Sequence, residues 1–104
     1  MTIARNSAVH PRPGQAPRVE QIFDELLTIF AAAPGYLWGF RYKPEEGSGE
    51  VGRITVWRNH EDADHIAQNS HVIALRSELN RLIQGDHVER VLLVEHTAGT
   101  QPRS

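Results

Sequence analysis

The chain has 104 residues, a formal net charge of −2 from 11 basic and 13 acidic side chains, and no cysteine. That length suits one domain over 1–104, the mixed charge offers no footprint for nucleic acid or an anionic membrane, and the lack of cysteine excludes disulfides, thiolate metal sites and thiol nucleophiles. Met1 to Pro13 has no apolar core like a signal peptide's and no segment is long enough for a membrane span, so the expected compartment is the cytoplasm.

Residues 2–10 (TIARNSAVH) alternate as a strand, with Ile3, Arg5, Ser7 and Val9 on one face and Ala4, Asn6, Ala8 and His10 on the other, until Pro11, Pro13 and Gly14 break it. From Pro17, a good first-turn residue, the spacing predicts a helix to about Ala33 whose buried face is Val19, Ile22, Phe23, Leu26, Ile29, Phe30 and Ala33. Pro34-Gly35 stops it. Residues 36–43 then carry Tyr36, Trp38, Phe40 and Tyr42 at a period of two, which predicts a strand with all four rings on one face. Such a ladder needs a cover: helices, a partner's sheet or a ligand.

Residues 44–49 (PEEGSG) form a polar turn, so 50–58 (EVGRITVWR) should return antiparallel, with Val51, Arg53, Thr55 and Trp57 on one face and Ile54 and Val56 on the other. Asn59 reads as the N-cap of a second helix, interrupted near Asn69-Ser70 and resumed with Ile73 (or Val72), Leu75, Leu79, Leu82 and Ile83 inward until Gly85. A last strand is expected over 88–96 (VERVLLVEH), and 97–104 as a loose polar tail. The order β-α-β-β-α-β is the α+β, ferredoxin-like arrangement, an antiparallel sheet with both helices on one face. Because strands two to four are apolar on both faces, the bare face needs a second cover, and face-to-face packing with another copy of the same sheet makes a homodimer the expected assembly.

The segments PGYLWGFRY and RITVWRNHEDADHIAQNSHVIALRSEL, with VHPRPGQ near the N-terminus, resemble the dimeric α/β-barrel superfamily and within it the antibiotic biosynthesis monooxygenase-like domain. The resemblance rests on the Pro-Gly-aromatic start of strand two, the strand-three ending in Trp57-Arg58-Asn59 and the helix interruption at Ser70-His71. It spans about 2–96 and implies the fold, the dimer and a cleft between helices and sheet that takes small organic molecules. This branch mixes oxygenases, haem degraders and isomerase-like enzymes, so the fold alone does not assign a reaction.

The resemblance places Trp57 on the cleft wall, and Arg53, four residues earlier on the same face, stands where some of those oxygenases have an asparagine. An arginine there suits a phenolate or a developing oxyanion. Asn6, in mid-strand, offers an amide donor to a carbonyl or bound oxygen, and His71 matches the helix-interruption histidine, a general base near neutral pH. Each also has a structural alternative: Trp57 as core, Arg53 in a surface ion pair, Asn6 satisfied by backbone and His71 as an ordinary exposed histidine. Trp38 serves equally as cleft wall or dimer interface.

Two other chemistries fit poorly. His60 and His65 are five residues apart, about 140° round a helix, whereas a zincin needs four, so no metal site is expected. The haem-degrading members' Trp and axial His positions fall by spacing at Ile66 and Arg76, which leaves haem without a ligand. The expectation is a cofactor-independent monooxygenase acting on a small aromatic or polycyclic phenol or quinol. The alternative is a non-catalytic dimeric small-molecule-binding or interaction module of the same fold.

Overall fold

A computed structural model describes residues 1–99. Its elements are β1 (Ile3–Pro11), α1 (Ala16–Ala31), β2 (Tyr36–Tyr42), β3 (Val51–Trp57), α2 (His60–Ala67), α3 (Ser70–Leu82) and β4 (Ile83–Leu93). The strands form one antiparallel sheet in the order β2-β3-β1-β4, and the helices cover one face, as the alternation and the helical spacing require. The expected tail over 97–104 lies outside the described residues from 100 onward.

α1 starts with Pro17 in its first turn and buries Val19, Ile22, Phe23, Leu26 and Phe30. Ile29 and Ala33, expected on the same face, are only partly buried against that core. Asn59 caps α2, its Oδ1 accepting from the Asp62 N–H at 2.9 Å, and Asn69 caps α3 by accepting from the His71 and Val72 N–H groups. The second cap is why the helix breaks there: the amide side chain satisfies donors that a continuous helix would pair internally. It also fixes the phase of α3, so Val72 is buried and Ile73 is 51% exposed.

The four-ring stripe does not hold together as predicted. A register shift between Tyr36 and Trp38 inserts Leu37 as a bulge, and one extra residue reverses the facing of everything beyond it. Tyr36 therefore lies on the helix side, edge-on to Trp57 at 5.3 Å between ring centroids, while Trp38, Phe40 and Tyr42 lie on the uncovered side. Gly39 and Arg41 take the helix side, where Arg41 pairs with Asp24 and Glu20 of α1.

The last strand also differs from its predicted bounds. It begins at Ile83, directly after α3, and a shift in its pairing with β1 between Ala8 and His10 absorbs Gly85, which has φ 72°. Gly85 thus accommodates an irregular strand instead of ending a helix. The extension places His87 on the helix side, two residues before Glu89.

Candidate functional site

Between the helices and the sheet lies a cavity of about 90 Å3. Its floor is Arg5 and Ser7 of β1 with Arg53, Thr55 and Trp57 of β3; Phe30, Ala63, Ile66 and Val72 roof it, and Arg76 of α3 and Glu89 of β4 stand at the rim. β4 is an edge strand with Val91 49% exposed, so the rim faces solvent.

Trp57 is both wall and core. It lines the cavity, is 1% exposed, and meets Phe30 and Tyr36 edge to face. Its indole N–H donates to Thr55 Oγ1 at 2.9 Å, two residues back on the same strand face. This bond fixes the ring plane and leaves the indole N–H committed within the protein.

Arg53 lines the same cavity at 6% exposure, its guanidinium 5.1 Å from the Phe30 ring centroid and 5.7 Å from that of Phe23. Its Nε is buried without a hydrogen-bond partner, and no carboxylate among the described residues forms an ion pair with it. Burial, with help from Arg76 and Arg5, pushes its pKa down to about 10, against the opposing pull of Glu89 and Tyr36. It remains a cation at neutral pH. Aromatic faces compensate part of its lost hydration, but a buried cation facing a cavity with no counter-ion is the environment of an anion receptor.

Two other arginines at the cavity are paired. Arg5 donates to Asp64 at 2.6 Å, and Arg76 bonds Glu89 across the rim. Opposite Arg53 on β1 is Ser7, 3% exposed, whose hydroxyl is hydrogen-bonded to His87 Nε2. Glu89 Oε1 lies 3.4 Å from the same nitrogen. Burial, with Arg76 and Arg53 nearby, lowers the His87 pKa from its ordinary value, and Glu89 opposes the shift. These surroundings favour the neutral imidazole over the imidazolium.

Of the residues singled out from sequence, Arg53 and Trp57 meet in the cavity. Asn6 borders the cavity, but its side chain is on the uncovered face, where Nδ2 donates to Tyr42 Oη at 3.0 Å and to the Arg53 carbonyl at 3.2 Å. Trp38 is on that face too, stacked on Phe40 at 5.6 Å between centroids. His71 is exposed in the first turn of α3 and does not line the cavity. Sequence reading missed Ser7 and His87. Ser7 shares its strand face with Arg5, and that parity was the available signal; His87 lay before the predicted start of its strand.

A family model described as antibiotic biosynthesis monooxygenase matches residues 2–77. No curated protein matches the chain by sequence. Among solved structures, Rv0793 from Mycobacterium tuberculosis superposes with a TM-score of 0.87 at 20% identity, over 95% of this chain and 100% of that one. SnoaB, a cofactor-independent oxygenase from Streptomyces nogalater, superposes with a TM-score of 0.81 at 14% identity, over 92% and 95%. A conserved protein from Methanosarcina mazei has a TM-score of 0.81 at 11% identity, over 88% and 90%. Identities this low establish the shared fold and leave the chemistry to the residues of the cavity.

Proposed function

Since the chain belongs to the antibiotic biosynthesis monooxygenase family, we propose that it is a cofactor-independent monooxygenase acting on a small aromatic or polycyclic phenol or quinol. The observation that carries this reading is Arg53, a buried cation without a counter-ion in an aromatic-walled cavity. A phenolate supplies the missing charge, and its ring suits the apolar roof of Phe30, Ile66 and Val72. Similarity to a cofactor-independent oxygenase supports the same class.

In the proposed reaction Arg53 stabilises the ionised oxygen of the substrate, and Trp57 and Phe30 exclude water around the ring. The electron-rich anion reduces dioxygen directly. One oxygen atom enters the substrate as a carbonyl in place of two hydrogens, and the other leaves as water, so the substrate supplies all the electrons.

The test is oxygen uptake by the purified protein against anthrones, naphthols and hydroquinones, with Arg53→Met and Trp57→Phe as controls. Uptake above the buffer rate that is lost in Arg53→Met supports the proposal. Phenolate binding without uptake across the panel would instead identify a binding module that uses the same cation.

We also propose that the active form is a homodimer joined through the uncovered sheet face. That face carries Trp38, Phe40, Ile54, Val56, Val88 and Leu92, with Val88 50% and Phe40 and Leu92 each 38% exposed. The Trp38 indole N–H is buried there without a partner. A largely apolar sheet face of this kind, interrupted by Asn6 and Arg90, is covered most simply by its own two-fold copy. Leu92→Asp is expected to shift the mass measured by light scattering from dimer to monomer at micromolar concentration; a wild-type monomer would overturn the proposal.

A further inference from the structure

Ser7 and Arg53 are direct cross-strand partners on the cavity side of the sheet. Their Cβ atoms are therefore about 4.5–5.5 Å apart, and both residues line the same cavity. Ser7 in turn is hydrogen-bonded to His87 Nε2, and His87 retains 14% side-chain exposure, a way out to solvent. The proposed reaction starts from an anion, yet phenols arrive largely protonated, so a proton must be taken up inside a nearly dry cavity.

We propose that Ser7 and His87 are the proton-accepting end of the cavity, receiving the hydroxyl proton of a phenolic ligand whose oxygen Arg53 holds. This rests on the reading of the cavity as a phenol site. The ligand O–H bond breaks as its proton passes to Ser7 Oγ, and the Ser7 proton passes to Nε2 of His87. The bonding pair stays on the phenolate oxygen beside Arg53.

The surrounding charges favour this order. The groups facing His87 are Glu89 on its own strand, Arg76 on α3 and Arg53 on β3. Before the ligand ionises, burial and the two arginines favour the neutral, accepting form of the imidazole. Once a phenolate neutralises Arg53, part of that repulsion disappears, and Glu89 at 3.4 Å remains to stabilise the imidazolium. Ligand ionisation and imidazole protonation thus reinforce each other.

The test uses para-nitrophenol, whose phenolate is yellow and whose neutral form is not, added to the full chain below the pH at which the free dye ionises. Wild type is expected to turn the bound dye yellow with no proton released, the release being measured by calorimetry in buffers of different protonation heat. In His87→Gln the bound dye should stay colourless or release one proton for each yellow dye formed, with affinity changed only a few-fold. Ser7→Ala should behave alike, which guards against a folding defect in one variant. Yellow dye without proton release in both variants would overturn the relay, as would proton release by wild type or failure of wild type to bind the dye. No oxygen is consumed, so a protein without oxygenase activity would still pass, and the two readings fail separately.

Discussion

Trp57→Ala should lower the unfolding free energy by about 3–5 kcal/mol. The expectation follows from burial: the ring is 1% exposed and is held between Phe30 and Tyr36. Truncation leaves a cavity beside the existing one and removes the donor to Thr55, itself 1% exposed. Against a typical total of about 5–15 kcal/mol, this is a large share. Urea denaturation should show a lower midpoint at unchanged slope. A loss under about 1 kcal/mol would mean that the neighbouring helices collapse onto the gap, or that the ring is a solvated wall and not core. Trp57→Phe keeps most of the ring volume and loses chiefly the bond to Thr55, at about 1 kcal/mol. It is therefore the better variant for asking what the indole does to a ligand.

The residues at the cavity differ in how plainly the sequence announces them. Simple alternation places Arg53 and Trp57 on one face, because β3 itself carries no inserted residue and pairs in unbroken register with β1. The same alternation failed on β2 because of one inserted residue, Leu37: a bulge leaves composition and hydropathy unchanged while reversing the facing beyond it. Trp38 consequently belongs with the apolar face and Tyr36 with Trp57. His87 was obscured differently. Gly85 follows a helix and so suggests its end, but the positive φ it supplies lies within an irregular strand that starts two residues earlier. Helix periodicity placed the α1 core well, since a 16-residue helix averages over local exceptions. In α3 the spacing admits either Val72 or Ile73 inward, and the Asn69 cap selects Val72.

Arg53→Met is expected to stabilise the ligand-free protein while removing its affinity for phenolates. In the fold the guanidinium pKa drops from its ordinary value to about 10, a change worth about 3 kcal/mol against the charged form. Methionine removes that penalty and forfeits the contacts with Phe23 and Phe30, worth about 1–2 kcal/mol for a desolvated cation. The net gain is about 1–2 kcal/mol. Because the folded pKa lies below the unfolded one, the charge penalty is fully present below about pH 10 and is relieved only as pH rises through that value. The advantage of the variant should therefore be flat across neutral pH. A saturating phenolate should reverse the order: at about 100 times its dissociation constant it adds about 2.7 kcal/mol to wild type and nothing to a variant that does not bind it. Crossing melting curves would show a cation kept at a cost to the empty fold because a ligand anion needs it. A variant less stable than wild type without ligand would make Arg53 a structural residue, and the anion-receptor reading would fall with it.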